Sequence, residues 1–281
     1  FIAMDAPPDK EDCRPFVHVA RLLREAQVNA PEIHAQDLAQ GFLLLSDLGQ
    51  TTYLAALDEH NADALFRDAI DALVRWQLAT RAGELPAYDE ALLRREMALF
   101  PEWYLGRHLG LTPSAAQQAA LEDAFRRLAA SALAQPAVYV HRDYMPRNLM
   151  LCEPNPGVLD FQDAVVGPIS YDIASLLRDA FISWEEARVI DWCARYWGAA
   201  KRARLPVDAD FAEFYRGFEW MGLQRHLKVL GIFARLTYRD GKAKYLADTP
   251  RFLAYARAVA GRYPALAPLA RLLDQLGGKP Q

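Results

Sequence analysis

Tyr139-Val140-His141-Arg142-Asp143-Tyr144-Met145-Pro146-Arg147-Asn148-Leu149-Met150-Leu151, continued by Val158-Leu159-Asp160-Phe161-Gln162-Asp163, is the stretch on which the fold turns. Its apolar spacing predicts strand, polar loop, strand, turn and strand. One acid and one amide fall in the loop, and a second acid falls where the last strand ends. That layout suits transfer of a phosphoryl group: a carboxylate must lie within hydrogen-bond reach of the attacking hydroxyl, and oxygen ligands must hold Mg²⁺ against the nucleotide phosphates. The spacing H-R-D-x-x-x-x-N followed by D-F is met by His141-Arg142-Asp143, Asn148 and Asp160-Phe161.

Coincidence is a poor rival. The chain holds six His, 22 Asp and four Asn in 281 residues, so a His with Asp two on and Asn seven on arises by chance about once in 150 such chains. Flanking strands and the later strand-end acid lower that further. Asp143 is therefore the candidate base that accepts or orients the hydroxyl proton, and Asn148 and Asp160 are the candidate Mg²⁺ ligands. His141, at a strand end, is expected to hold backbone rather than to move protons. Asp163 either faces substrate or begins a turn.

The rest of the composition narrows the class. Hydrophobic residues at 52% and charged residues at 24% are those of an ordinary globular chain. A net charge of -4 gives no global reason to bind nucleic acid or anionic membrane. Cys13, Cys152 and Cys193 lack metal-ligand spacing, and three thiols fit a reducing cytoplasm better than a disulfide framework. No apolar run approaches the roughly 20 residues of a membrane span.

Along the chain, Phe1-Ile2-Ala3-Met4 reads as a strand and Asp12 as the cap of a helix carrying Phe16, Val19, Leu22 and Leu23 on one face. Ile33 starts an extended piece, and Gly41 to Leu45 reads as a buried strand ending in Ser46-Asp47-Leu48-Gly49. Asn61 is expected to cap a helix to about Thr80, Asp89 to Phe100 to form another, and Pro113 to open a third that runs to Ala134. Helices follow near Tyr171–Arg178, Glu185–Trp197, Phe211–Tyr238 with possible breaks at Gly217, Gly222 or Gly231, Pro250–Arg262 and Pro264–Leu276.

On His141 to Met150, Leu159 to Ala164 and Gly167 to Leu177, the chain resembles the aminoglycoside phosphotransferase-like kinases, and within them the bacterial anomeric kinases of N-acetylmuramate and N-acetylglucosamine. The resemblance implies an α+β, protein-kinase-like two-lobe fold: a truncated N-terminal β-lobe over residues 1–46 and a mostly helical C-terminal lobe over 47–281. It implies ATP and Mg²⁺ as cofactors, an amino sugar as the small-molecule substrate, a cytoplasmic location and a monomer at full length. Ser46, Asp47 and Leu48 then form the hinge that meets the adenine, and Asp172 braces the catalytic loop from a helix start. Other acceptors, an aminoglycoside or an amino alcohol, and a non-catalytic nucleotide-binding module remain the alternatives.

The departures from the family are as informative. Met4 stands where a phosphate-binding lysine is expected, and the helix after Cys13 carries no acid before Glu25, with Phe16 near the expected position. Both halves of an ion pair are absent together, which leaves Lys10, Arg14 or Arg147 to meet phosphate. The sugar is expected to meet an aromatic face and a planar cation, for which Tyr104, Trp220 and Arg225 are the candidates. The opening strand reads as the third of its sheet, with a phosphate-covering loop before it, so weak ATP binding and self-association are expected of a chain that starts there.

Overall fold

The structure, a computed structural model, describes residues 1–277. In chain order, β1 (Ile2–Asp5), α1 (Arg14–Glu25), β2 (Ile33–Asp37) and β3 (Phe42–Leu45) precede the short α2 (Tyr53–Ala56) and the long α3 (Ala62–Leu78). α4 (Glu90–Leu99) runs into a π-helical stretch, Phe100–His108, and α5 (Ala115–Leu133) follows. Four short strands come next, β4 (Ala137–Val140), β5 (Leu149–Met150), β6 (Gly157–Val158) and β7 (Val165–Pro168). The remainder is helical: α6 (Tyr171–Leu177), α7 (Glu186–Arg202), α8 (Phe211–Tyr238), α9 (Thr249–Arg262) and α10 (Ala267–Gly277). Two compact units result, one of Phe1–Ala87 with Pro136–Phe214, the other of Tyr88–Gln135 with Tyr215–Gln281.

In the first unit, β1, β3 and β2 form an antiparallel sheet in that order, with Met4 opposite Leu43 and Ile2 opposite Leu45. Side chains alternate along a strand. Leu43 and Leu45 therefore point to one face, where Cys13, Phe16 and Val17 from the α1 region and Met4 and Ile33 close a small core. Phe42 and Leu44 point the other way and stay 46% and 37% exposed. Asp12 does not cap α1. The cap position is Cys13, and Asp12 instead accepts the Arg14 backbone N–H at 3.0 Å while its carboxylate grips the Arg14 guanidinium at 2.8 Å.

α3 is the rod against which the polar loop is fixed. Leu65, Phe66, Ala69, Ile70, Leu73, Val74 and Gln77 are buried as their spacing predicts. Asn61 precedes α3 without capping it: its Oδ1 accepts the Asp58 N–H at 2.9 Å and its amide donates to the Ala56 carbonyl at 2.7 Å. At the other end Thr80 Oγ1 accepts the Tyr139 N–H at 2.8 Å, which fastens β4. Buried Gln77 donates to the Ile169 carbonyl at 3.1 Å and accepts the Tyr196 hydroxyl at 2.5 Å. The Tyr144 hydroxyl donates to the Ala69 carbonyl at 2.7 Å, anchoring the loop from within.

In the second unit, Asp89 caps α4 through the Leu92 N–H at 2.8 Å. α5 begins at Ala115 rather than at Pro113, because Ser114 and Gln117 form a reciprocal capping box that satisfies two orphan donors. α8 runs unbroken through all three glycines. At Gly231 the reason is close approach: a Cβ there would lie 2.4 Å from the Leu99 carbonyl carbon. Buried carboxylates in this unit are paired, Glu96 with Lys228 at 2.9 Å and with Tyr88, and Glu219 with Arg262 and with the Tyr263 hydroxyl at 2.5 Å. Among the described residues no helix is long and apolar enough to cross a membrane.

Candidate functional site

The loop after β4 is held from behind by one buried acid. Asp172, in the first turn of α6 and 0% exposed, accepts the backbone N–H of His141 at 2.7 Å and that of Arg142 at 3.0 Å. Both donors are thereby satisfied by an ionised acceptor, the stronger kind of hydrogen bond. Arg142 sits at φ 75°, a conformation costly for a side chain with a Cβ, and the two bonds to Asp172 offset that strain. The Arg142 guanidinium reaches the Asp163 carbonyl at 3.4 Å.

His141 ties the loop to the second acid's strand. Its Nε2 lies 3.0 Å from the Leu159 carbonyl, and the Asp143 N–H donates to its Nδ1 at 3.2 Å. A carbonyl can only accept and an N–H only donate, so the ring is neutral with its proton on Nε2. Burial, outweighing the nearby carboxylates Asp143 and Asp160, pushes its pKa below the usual histidine range.

Asn148 closes the frame. It is 7% exposed in the single turn Pro146–Asn148, and its amide nitrogen donates to the Asp143 carbonyl at 2.9 Å and to Asp160 Oδ2 at 3.1 Å. The nitrogen makes both bonds, so Oδ1 is the atom left to meet a cation. Asp160 stands at φ 62°, and its other oxygen accepts from Gln162 at 3.1 Å. Asp143 is thus held at its N–H by His141 and at its C=O by Asn148, and its side chain is half-buried.

These donors fit a small hard cation. An amide oxygen beside a carboxylate oxygen is the partial shell that Mg²⁺ accepts when phosphate oxygens and water supply the rest. Asn148, Asp143 and Asp160 are brought together by the bonds above. Asp163 is exposed beside them in sequence, while Ser46, Asp47 and Leu48 form the segment after β3. Ser46 is fixed by reciprocal bonds with Glu32 at 2.9 Å, and Gly49 turns on Asp47 Oδ1 at 2.8 Å. Leu48 packs so near Gly157 that a Cβ there would lie 2.9 Å from its methyl.

The expected cations differ in availability. Arg14 is neutralised by Asp12, whereas exposed Arg147 lies with its guanidinium 5.3 Å from the Phe181 ring centre. Tyr104, Trp220 and Arg225 belong to the second unit and are 1%, 8% and 4% exposed. Tyr104 stacks on Phe100 at 5.7 Å and bonds Thr249, and Trp220 meets Tyr263 edge-on at 5.7 Å. Sequence reasoning missed two contributors, Gln162 on Asp160 and the contact of Phe16 with Phe161 at 4.7 Å. Gln162 stands where the kinase template has glycine, and that substitution was the signal available.

Fold and acids together define a phosphotransferase of protein-kinase-like architecture. The phosphotransferase enzyme family matches residues 1–208, and the chain belongs to that family. Among its relatives, the N-acetylmuramate/N-acetylglucosamine kinase of Pseudomonas putida is 58% identical over 276 residues, covering 98% of this chain and 81% of that protein. The enzyme of the same name from Neisseria meningitidis serogroup B is 52% identical over 281 residues, covering 99% and 84%. Similar folds include the aminoglycoside phosphotransferase APH(2'')-Ib bound to ADP, with TM-score 0.57, 15% identity and coverage of 87% and 81%. A choline/ethanolamine kinase family protein from Mesorhizobium loti gives 0.60, 15%, 91% and 82%.

Proposed function

We propose that this chain transfers the γ-phosphoryl group of ATP to the anomeric hydroxyl of N-acetylmuramate or N-acetylglucosamine. The observation that carries the reading is the doubly pinned backbone of Asp143, within a chain 58% identical to a kinase of that name. Asp143 accepts the hydroxyl proton, and its fixed backbone holds the carboxylate where the oxygen attacks. Asn148 and Asp160 hold Mg²⁺, which when bound neutralises charge on the transferring phosphoryl group. Gln162 keeps the Asp160 carboxylate from turning away. Ser46 to Leu48 meet the nucleotide base, Arg147 supplies a phosphate cation in place of the absent lysine, and Asp163 serves the sugar, while Tyr104, Trp220 and Arg225 are packed inside the second unit. Residues 1–46 form the small lobe in this reading and 47–281 the large one, and the work is done in the cytoplasm by a monomer, in recycling of cell-wall amino sugars.

An anomeric hydroxyl belongs to a hemiacetal and is more acidic than a ring alcohol, so a carboxylate base is less handicapped there. Free amino sugars should therefore be phosphorylated and their 1-O-methyl glycosides inert. A methyl glycoside turned over as fast as the free sugar sinks the anomeric assignment. A second reading, nucleotide binding without transfer, draws on the apolar Met4 and Phe16 where an ion pair is expected. Mg²⁺-dependent ATP turnover that rises on adding sugar decides against it.

A further inference from the structure

The helix that braces the catalytic loop serves it a second time. α6 is buried along its whole length, and Asp172 in its first turn holds the backbone of His141 and Arg142 where the loop begins. Just past the other end of α6, Asp179, 2% exposed, accepts the Phe181 N–H at 2.9 Å. A carboxylate that bonds the backbone two residues on forms a local turn, and that turn fixes the point from which the Phe181 ring projects. The ring centre lies 5.3 Å from the guanidinium of Arg147, the residue before Asn148.

Arg147 is held differently from other arginines of the first unit. Arg14, Arg21, Arg24 and Arg81 each pair with a carboxylate. Even Arg188, which lies over the rings of Trp184 and Trp192, also pairs with Glu59. Among the described residues no carboxylate lies within ion-pair distance of Arg147, and its side chain makes no hydrogen bond. The difference has a chemical consequence. An acid would cancel the charge and take up the N–H fork, whereas an aromatic ring attracts a guanidinium through its π face and supplies no acceptor oxygen. The charge and the donors then remain for phosphate oxygens, which the planar fork suits. A long, exposed side chain also loses rotamer freedom when it binds, and a ring that already holds it lowers that cost.

We propose that Phe181 is a positioning residue for phosphoryl transfer: its ring holds Arg147, next to the metal ligand Asn148, with charge and donors free for the terminal phosphates of the nucleotide. This role rests on the phosphate contact given to Arg147 above. α6 then sets the start of the loop through Asp172 and its phosphate-binding end through Asp179 and Phe181.

The test is calorimetric titration of the full chain and its variants with ATP and with AMP, which lacks the terminal phosphates, both in Mg²⁺. Arg147→Met should weaken ATP about tenfold and leave AMP unchanged. Phe181→Leu keeps apolar bulk without the ring, and should weaken ATP about threefold, the range of an exposed cation–π pair, again with AMP unchanged. Phe181→Trp restores a ring and should bind ATP within about twofold of the parent chain. On the Arg147→Met background, Phe181→Leu should cost nothing further. If Phe181→Leu costs the same on both backgrounds, weakens ATP and AMP equally, or is not improved upon by Phe181→Trp, Phe181 is merely structural and the proposal is overturned. A loss in Arg147→Met with none in Phe181→Leu overturns it alone, while no loss in Arg147→Met, or a parent chain that binds neither nucleotide, removes the phosphate contact as well. None of these titrations needs an acceptor, so a parent chain that binds ATP but phosphorylates no amino sugar refutes only the sugar assignment.

Discussion

Around Asp143 the loop backbone is held by hydrogen bonds to three buried polar side chains, Asp172, His141 and Asn148. At β1 and α1, where the family would place a lysine and an acid, Met4 and Phe16 pack into one apolar core with Cys13, Leu43 and Leu45. The two regions answer different demands. A proton acceptor and metal ligands must be held to within a fraction of an ångström, and directional bonds do that. The β1–α1 contact has only to keep the helix against the sheet, and apolar burial suffices once both charges are gone, since a lone buried charge costs more than no charge at all. Phe16 carries this apolar link onward to Phe161, beside Asp160.

The largest expected effect sharpens the polar side. Asp143→Ala should lower kcat about a thousandfold, in the range of general-base contributions, while leaving nucleotide affinity and unfolding midpoint nearly unchanged. Asp160→Ala should weaken Mg²⁺-nucleotide binding as well. Isothermal titration with nucleotide, with and without Mg²⁺, separates the two, and equal binding loss in both variants removes the division of roles.

Next in size is the brace. Asp172→Ala strips two charge-assisted bonds from buried N–H groups, so a loss of about 2–4 kcal/mol is expected. Urea unfolding measures it. An Asp172→Ala chain as stable and as active as its parent would show that the loop holds itself.

How much of this was legible follows the same contrast. The His141, Asp143, Asn148 and Asp160 set could be read from spacing because a fixed loop geometry demands fixed residue types at fixed intervals. The apolar run Phe42 to Leu45 announced a buried strand, but only Leu43 and Leu45 are buried, because one face of the sheet is left open. The helix starts were less legible, since Asp12, Asn61 and Pro113 all carry cap chemistry and the structure uses Cys13's position, a loop role and Ser114 instead. The π-helical stretch Phe100–His108 left no signal, because Glu102, Arg107 and His108 interrupt any apolar period and Pro101 reads as a break. A long-range partner such as Leu159 for His141 depends on how strands are set in space, which no local pattern encodes.

The apolar side has its own test. Met4→Lys and Phe16→Glu should each destabilise by about 1–3 kcal/mol by placing a charge in the small core. If the two positions form one unit, the double variant should lose clearly less than the sum, because each charge then meets its partner. Additive losses in a double-mutant cycle would show that Met4 and Phe16 were replaced independently, and the contrast with the Asp143 loop would lose its meaning.

The smallest effect is one of pH. His141 is neutral in the folded chain, where burial keeps its pKa below the usual value near 6.5, while in the unfolded chain it titrates normally. As pH falls below about 6.5 the unfolded state therefore binds a proton that the folded state refuses, so stability falls with falling pH until the depressed folded value is reached. Above about 6.5 both states are neutral and His141 contributes no slope. The limit is about 1.4 kcal/mol per pH unit for one group. Urea midpoints at pH 7.5, 6.5 and 5.5 should thus be flat over the first step and drop over the second. His141→Gln keeps a donor for the Leu159 carbonyl but cannot titrate, so its drop over that step should be shallower by up to about 1 kcal/mol even if its overall stability is lower. An identical slope in parent and variant would assign the acid sensitivity to other groups, and would mean that the loop tolerates a charged ring between Leu159 and Asp143.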